Sequence, residues 1–365
     1  MSPKFNIAPL SDWPINTAFP FIISGPCSAE SEAQVLESAH ALKKTGKVSL
    51  LRAGIWKPRT RPNSFEGIGA PALEWLMKAK AETGLPLTTE VANAYHVEAC
   101  LKAGVDVLWI GARTTVNPFS VQEIAEALKG VDIPVIIKNP INPDLQLWIG
   151  ALERLQLAGI NKLMAMHRGF SSSQKSIYRN DPMWELPIAL MSQHPEVPII
   201  CDPSHISGNR ELLLPVAQKA FDLGMQGVMI ESHPNPDKAL SDKAQQVVPE
   251  RFKEIIDSIQ FRRTHNNDID QEAALATLRS RIDEIDRGVI KLLAERMDVA
   301  MEIGTFKKKH DITILQLDRW IEIFNTRSEH ALELGFSEDF ITSFLEQLHK
   351  ESIRIQTKVM NNMKD

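Results

Sequence analysis

The sequence predicts an α/β protein whose first part is a (β/α)8 TIM barrel and whose second part is an all-α unit of three helices. Between residues 21 and 232, eight short apolar runs alternate with helix-length amphipathic stretches, which is typical of parallel strands connected by helices. Beyond residue 272, apolar residues recur at spacings of three and four, which predicts helices. A doubly wound open sheet is the alternative for the first part, but no glycine fingerprint opens a first helix.

The eight predicted strands are nearly continuous apolar runs, as expected for a parallel sheet that is buried on both faces. They lie at residues 21–25, 48–54, 85–91, 105–112, 133–139, 161–167, 197–202 and 227–232. The stretches between them predict helices, for example at 29–44, 69–83, 117–129, 142–158 and 210–222. Eight repeats of a strand and a helix are the number that closes a barrel.

The stretch QFRRTHNNDIDQ at 260–271 is polar and lacks apolar periodicity, which predicts a linker. We therefore expect a barrel domain at 1–259 and a helical domain at 272–365. One long helix is expected over 272–308, because this stretch contains no proline and carries apolar residues along one face. Segments 318–333 and 338–360 have the same character and predict the other two helices.

Composition narrows the class of protein. A net charge of -5 provides no broad basic field, so neither nucleic acid nor an anionic membrane is an expected partner. No apolar run approaches the roughly 18 residues of a membrane span. Three cysteines do not suit a disulfide framework and fit a reducing compartment. We therefore expect a soluble cytoplasmic protein that acts on small molecules.

Side chains of metal-ligand type follow three of the predicted strands. Cys27 follows the first strand in GPCS, His205 follows the seventh in DPSH, and Glu231 ends the eighth, with Asp242 eleven residues later. The loops after the strands build the active site of such a barrel. Mixed sulfur, nitrogen and oxygen ligands suit a divalent ion such as Mn, Fe, Co or Zn. The pattern predicts a metal site, with packing or capping roles for the cysteine and the histidine as the alternative.

A second set of strand-end residues is cationic. Arginine binds carboxylate or phosphate through its planar fork, and lysine adds a point charge. So many cations at one mouth would repel one another unless an anion binds there. The set therefore predicts substrates that carry phosphate and carboxylate, and its members are Arg52, Lys57, Arg59, Arg113, Lys138 and Arg168.

Six motifs occur in order at the strand ends: GPCS, RAGIWKPRT, GARTT, IIKN, DPSH, and MIESHPNP followed by LSD. They resemble type I 3-deoxy-D-arabino-heptulosonate 7-phosphate (DAHP) synthases over roughly residues 20–260. The resemblance implies a divalent metal held by Cys27, His205, Glu231 and Asp242. It further implies phosphoenolpyruvate bound by Arg52, Lys57, Arg113, Lys138 and Arg168. Erythrose 4-phosphate would contact Lys57, Arg59 and Thr60, with Lys57 as proton donor.

Two other interpretations of the barrel exist. The 3-deoxy-octulosonate 8-phosphate synthases share the barrel and the ligands but carry an Ala-Asn-Arg run after the lysine, so the Pro58-Arg59-Thr60 run favours the heptulosonate enzyme. A Schiff-base aldolase with Lys138 as nucleophile is possible on the same barrel, but the four metal-type ligands disfavour it. Because the first predicted strand begins at residue 21, we also expect that the extra N-terminal regulatory domain found on some of these synthases is absent.

Polar residues interrupt the apolar face of the helical part. Arg296 and Lys307 are eleven residues apart, almost three turns, so they project to the same side. Ser352 and Gln356 stand at i and i+4 within the apolar stripe of the last helix. Because unpaired buried charge is unfavourable, these residues predict a polar pocket or internal pairing. The alternative is a register that places all four on the solvent face.

The segments LRSRIDEID, LLAERMDVAMEIGTFK and ESIRIQ resemble the all-helical chorismate mutases over roughly residues 272–360. The resemblance implies that Arg279 and Arg296 bind the two carboxylates of chorismate. It places Lys307 and Gln356 at the ether oxygen, with Arg319 and Ser352 as further contacts. It also implies a homodimer in which Arg279 reaches the pocket of the neighbouring subunit.

Three positions depart from these patterns. Gln316 and Trp320 stand where relatives often have aspartate and glutamate, and His167 stands where many synthases have glutamate. The helical domain could therefore sense chorismate or prephenate without converting it, although retention of both Lys307 and Gln356 favours an active mutase. We expect in addition that a ligand of this domain inhibits the synthase.

Overall fold

The structure, a computed structural model, describes residues 4–57, 64–173, 176–262 and 269–361. The chain divides into two compact units, residues 1–264 and 265–365. Much of the predicted linker, residues 263–268, lies outside the described residues. Among the described helices, none is both long enough and apolar enough to span a membrane.

Eight parallel strands form a closed barrel in which each strand pairs with its neighbours in sequence and the last pairs with the first. This confirms the predicted (β/α)8 fold. The strands are β1 (Phe21–Gly25), β2 (Leu50–Arg52), β3 (Leu87–Val91), β4 (Val107–Ile110), β5 (Val135–Lys138), β6 (Leu163–His167), β7 (Ile199–Cys201) and β8 (Gly227–Glu231).

Helices surround the barrel, and several begin at a side chain that accepts a hydrogen bond from the first turn. Ser31 accepts from the backbone of Gln34, and Asp144 accepts from that of Leu147, which satisfies amides that the helix leaves free. The helices are α1 (Glu32–Thr45), α2 (Ala72–Thr83), α3 (Ala94–Ala103), α4 (Ala112–Thr115), α5 (Pro118–Ala127), α6 (Leu145–Leu157), α7 (Glu185–Gln193), α8 (Pro203–Ser207), α9 (Leu213–Asp222) and α10 (Pro249–Ser258).

Side chains along each strand point alternately into the barrel and out towards the helices, so the barrel has two hydrophobic clusters. In β6, Met164 and Met166 join the cluster inside the barrel, whereas Leu163 and Ala165 join the cluster between strands and helices. Successive strand residues point to opposite faces, so His167 is on the outward side. The barrel interior is thus filled by side chains, and charged groups such as Arg52 and Glu231 stand at the carboxyl ends of their strands.

Three helices form the second unit, as predicted: α11 (Ile269–Lys309), α12 (Leu317–Glu333) and α13 (Glu338–Met360). Since α11 begins at Ile269, the last three residues of the predicted linker are helical. Part of the apolar stripe of α11 is exposed among the described residues: Leu278, Ile282 and Ile285 are 54%, 57% and 62% exposed. The sequence predicted this apolar face, and the described residues leave this part of it largely uncovered.

Candidate active sites in the barrel and the helical unit

Three of the four predicted metal ligands lie together at the mouth of the barrel. Ligand atoms of Cys27, Glu231 and Asp242 are all within 4.8 Å of one another. Cys27 follows β1, Glu231 ends β8, and Asp242 lies in the loop after β8. The fourth, His205 of α8, lies outside this group, but its Nε2 is 3.8 Å from Oε1 of Glu231.

Asp202 orients the imidazole of His205. The Oδ2 atom of Asp202 lies 2.8 Å from Nδ1 of His205, which leaves Nε2 to face Glu231. Burial alone would raise the pKa of the Asp202 carboxyl, but a hydrogen bond from His205 and the charge of the neighbouring Lys138 hold it well below its usual range. Burial lowers the pKa of His205 despite the nearby Asp202, so the imidazole is neutral. A neutral imidazole oriented by a carboxylate is the usual arrangement of a metal-binding histidine.

The charges around the cluster fit a cation. Burial raises the pKa of the Cys27 thiol to about 12, and Glu231 adds to this while Lys57 opposes it. The Oε1 atom of Glu231 makes no hydrogen bond with a described residue, although Nη1 of Arg52 lies 3.2 Å away. One thiol, one neutral imidazole and two carboxyls with a buried oxygen left unbonded are a donor set that suits a borderline divalent ion.

A cavity of about 230 Å³ adjoins the cluster and brings the predicted cations together. Arg52 is not among the residues that line this cavity. It is fully buried, its Nη2 donates to the carbonyl of Cys27 at 3.1 Å, and its guanidinium lies over the Trp109 ring, 5.0 Å from the ring centroid. Arg59 and Thr60 lie outside the described residues. The predicted residues that line the cavity are Lys57, Arg113, Lys138, Arg168, His205 and Asp242.

Two charged residues that line this cavity, Glu90 and Arg179, were missed by the sequence reasoning. Glu90 is in β3, one residue before its end, and its Oε2 accepts from Nε1 of Trp109 at 3.2 Å. A carboxylate near the end of an apolar strand is the same signal that pointed to Glu231, so Glu90 could have been found. Arg179 lies in the long connection between β6 and α7, and its Nη1 is 3.1 Å from Oδ1 of Asp242. Nothing in the sequence marks Arg179.

His167 does not line the cavity. Its ring lies 5.0 Å from Trp184 and 5.8 Å from Phe170, on the outer side of β6. Burial, assisted by the neighbouring Arg168, lowers the pKa of His167 to about 3. His167 is therefore a neutral packing group, and it is not among the residues that line the cavity.

The helical unit contains a pocket of about 370 Å³ that gathers the polar residues predicted on its helices. Arg296 donates through Nη1 to Oγ of Ser352 at 2.6 Å, and Nζ of Lys307 donates to the carbonyl of Ile314 at 2.5 Å. Lys307, Ser352 and Gln356 are buried, so they do not lie on the solvent face. The predicted residues that line the pocket are Arg296, Lys307, Arg319, Ser352 and Gln356.

The two departures in this unit lie in the same pocket. Gln316 and Trp320 both line it, and the Trp320 ring stacks on that of His349 with 3.8 Å between centroids. Arg279, by contrast, is exposed on α11 and is not among the residues that line the pocket.

Comparison with known proteins shows which protein families the two parts of the chain match. A profile of the DAHP synthetase I family matches residues 17–264, and one of chorismate mutase type II matches residues 278–357. A phospho-2-dehydro-3-deoxyheptonate aldolase of Thermotoga maritima is 32% identical over 254 residues, which cover 70% of this chain and 73% of that protein. A 2-dehydro-3-deoxyphosphooctonate aldolase of Nitratidesulfovibrio vulgaris is 29% identical, covering 61% of this chain and 84% of that protein.

Solved structures of DAHP synthases resemble the barrel of this chain. The crystal structure of the Thermotoga maritima DAHP synthase superposes with a TM-score of 0.61 at 30% identity, covering 70% of this chain and 72% of that one. A truncated form of the synthase from the same organism gives a TM-score of 0.59 at 28% identity, covering 70% and 91%. The chain therefore belongs to the DAHP synthetase I family, and with its type II chorismate mutase domain it is a bifunctional enzyme, a DAHP synthase joined to a chorismate mutase.

Proposed function

We propose that the barrel condenses phosphoenolpyruvate with erythrose 4-phosphate at a divalent metal centre held by Cys27, His205, Glu231 and Asp242. The observation that carries this proposal is the convergence of three ligand atoms within 4.8 Å beside a cavity lined by cations. The mixed donor set favours Mn, Fe, Co or Zn. When bound, such an ion supplies a Lewis acid that polarises a carbonyl oxygen.

The residues of this chain perform the remaining tasks. Arg113, Lys138 and Arg168 bind the anionic groups of phosphoenolpyruvate and hold its C3 towards the aldehyde carbon of erythrose 4-phosphate. Lys57 lines the same cavity and gives a proton to the aldehyde oxygen as it becomes an alkoxide. Water then adds at C2 and phosphate leaves. Arg59 and Thr60 are proposed to bind the phosphate group of erythrose 4-phosphate.

Lys138 is poorly suited to the alternative Schiff-base chemistry. Its Nζ atom lies 2.7 Å from Oδ2 of the buried Asp202, so the amine is engaged by a carboxylate and is not free to attack a carbonyl carbon. The role that fits this contact is binding of an anionic substrate.

In the helical unit, we propose that chorismate is folded into its reactive shape and that charge on the breaking ether oxygen is stabilised by Lys307 and Gln356. No covalent step is needed, so positioning and electrostatics supply the catalysis. Arg296 binds one carboxylate at the pocket rim. Further contacts come from Arg319 and Ser352.

We propose that the second carboxylate is bound by Arg279 of a second copy of the chain. The exposed apolar residues of α11, which include Leu278, Ile282 and Ile285, support a homodimer through this helix, because an uncovered apolar stripe of such length is typical of an interaction surface. Arg279 lies on the same helix, next to Leu278.

The domain bounds that we propose are 1–259 for the synthase, 260–271 for the linker and 272–365 for the mutase. Helix α10 ends at Ser258 and helix α11 begins at Ile269, which supports a domain boundary between these two residues. We also propose a cytoplasmic location, since Cys27, Cys100 and Cys201 are all unpaired.

We further propose that prephenate or chorismate, bound in the helical pocket, inhibits the synthase. The pocket recognises metabolites made several steps after the product of the barrel, so one chain would combine the first enzyme with a sensor of later products. Such coupling requires that the ligand favour one state of the chain over another.

An assay of the purified chain for both activities, with and without EDTA, tests these assignments together. We expect EDTA to abolish DAHP formation, added divalent metal to restore it, and mutase activity to persist throughout. Inactivation by borohydride in the presence of substrate, with indifference to EDTA, would instead select the Schiff-base mechanism at Lys138.

A further inference from the structure

Two neighbouring glutamines connect the residues of the metal cluster. The Nε2 atom of Gln245 donates to Oε2 of Glu231 at 2.7 Å, and Oε1 of Gln246 accepts from the backbone amide of Cys27 at 2.9 Å. The third member of the cluster, Asp242, belongs to the same short segment. We propose that Gln245 and Gln246 are positioning residues that hold Asp242, Glu231 and Cys27 in one arrangement for metal binding.

Both side chains have fixed orientations. They are buried, with 1% and 0% exposure. Oε1 of Gln245 accepts from Nη1 of Arg179 at 2.7 Å, and Nε2 of Gln246 donates to the carbonyl of Ser241 at 2.8 Å. Each amide thus uses its oxygen and its nitrogen on different partners. Reversing the Gln245 amide would place its NH2 group against a guanidinium, so only one orientation satisfies the contacts.

The backbone of the segment is also constrained. Asp242 has a φ of +40°, a left-handed conformation that is unfavourable for a residue with a side chain. A 3₁₀ turn, Lys243–Gln245, follows directly, and Arg179 contacts both Asp242 and Gln245. These contacts hold the strained residue so that its carboxylate faces the thiol of Cys27, with Oδ2 3.4 Å from Sγ.

The consequence is a cluster whose ligand atoms are oriented before the metal arrives. Partners of metal ligands commonly fix ligand direction, and their loss typically weakens metal affinity by roughly 10- to 100-fold. Here Gln245 bonds the Oε2 atom of Glu231, which leaves Oε1 on the side of Arg52 and His205, so the direction of the carboxylate depends on Gln245. This inference rests on the proposed metal site.

The test uses the full chain with Gln245→Met and Gln246→Met, which keep the side-chain length and remove the hydrogen bonds. Gln218→Met is the matched control, since Gln218 of α9 also bonds through its amide, to Gln260, but away from the cluster. Co²⁺ is titrated into each metal-free protein and its dissociation constant is measured from the absorption bands, including the thiolate-to-cobalt band that reports Cys27. Thermal unfolding without metal is measured in parallel.

We expect both cluster variants to bind Co²⁺ roughly 10- to 100-fold more weakly than the parent, with the thiolate band reduced most in Gln246→Met. Gln218→Met should match the parent. If either methionine variant fails to fold, Gln245→Asn and Gln246→Asn retain the amide but shorten its reach, and the same weakening is expected. Parent-like Co²⁺ affinity in folded variants would overturn the inference. A parent chain that does not bind Co²⁺ would overturn the metal site itself.

Discussion

The Nζ atom of Lys57 lies 2.9 Å from the Sγ atom of Cys27, so the proposed proton donor contacts a proposed metal ligand. The cluster and the substrate cavity are therefore one site. We expect Cys27→Ala, His205→Ala or Glu231→Ala to abolish DAHP formation, because each removes a ligand, while chorismate mutase activity survives. Both rates are measured on the same preparation.

Cys100→Ala is the control for this prediction, since Cys100 is also a buried free thiol but belongs to α3, away from the cluster. It should retain both activities. Full synthase activity in a chain stripped of metal would contradict the assignment of the four ligands.

Lys307 and Gln356 face the helical pocket, and each is proposed to donate to charge that develops mainly in the transition state. Lys307→Ala or Gln356→Ala should therefore lower the kcat of the mutase by roughly 10²- to 10³-fold. KM should change less, because the carboxylate contacts remain. Steady-state kinetics with chorismate measure both. Lys309→Ala, on the exposed end of α11, is the matched control and should behave as the parent does.

An unchanged kcat in both pocket variants would have a specific meaning. The helical unit would then catalyse the rearrangement without these two groups, which would contradict their proposed role at the ether oxygen. A parent chain that binds chorismate or prephenate but does not convert chorismate would instead indicate a sensor.

Much of the barrel could be predicted because its rules are local. Continuous apolar strands predicted β1 to β8, and residues such as Cys27, Glu231 and Lys138 were found because strand ends form the active site of such a barrel. Gln245 and Gln246 could not be found in this way. Their partners, Glu231 and Cys27, are 14 and 219 residues distant in sequence, and an amide in a loop carries no signal of what it will contact.

In the helical unit, prediction from the sequence is limited for a different reason. Periodicity predicted the apolar stripe of α11, but it does not tell which surface covers that stripe. Ala300 is buried within the chain, whereas Leu278 and Ile285 are exposed. A second copy, rather than the fold of one chain, is what we propose to cover them. The outward direction of His167 was likewise set by strand register, which the motif did not reveal.

His167 predicts a pH dependence of stability. Its folded-state pKa is lowered to about 3 by burial and by Arg168, below the value of about 6.5 in the unfolded chain. Between these values the unfolded state binds more protons, so stability falls as pH decreases from about 6.5 towards 3. His167→Phe should remove this loss, which is on the order of 3 kcal/mol by pH 4.

Urea unfolding of the barrel at several pH values, followed by tryptophan fluorescence, measures the effect. The difference in unfolding free energy between His167→Phe and the parent should grow as the pH falls below 6.5. A difference that is constant from pH 7 to pH 4 would show that His167 keeps an ordinary pKa in the folded chain.

The last prediction concerns the joining of the two activities. Prephenate added to the intact chain should inhibit DAHP formation, because it binds the helical pocket and favours a less active state of the chain. In Arg296→Ala, which lacks a proposed carboxylate contact, inhibition should require a higher prephenate concentration, with each rate normalised to that of the same protein without prephenate. A typical coupling free energy between two sites, about 1–3 kcal/mol, corresponds to roughly a 5- to 150-fold change in the affinity of one site when the other is occupied.

Arg287→Ala is the control, because Arg287 is on the same helix but is not among the residues that line the pocket. This variant should be inhibited as the parent is. Equal inhibition of all three proteins would place the effector site outside the helical pocket, and a parent chain that prephenate does not inhibit would leave the two activities uncoupled.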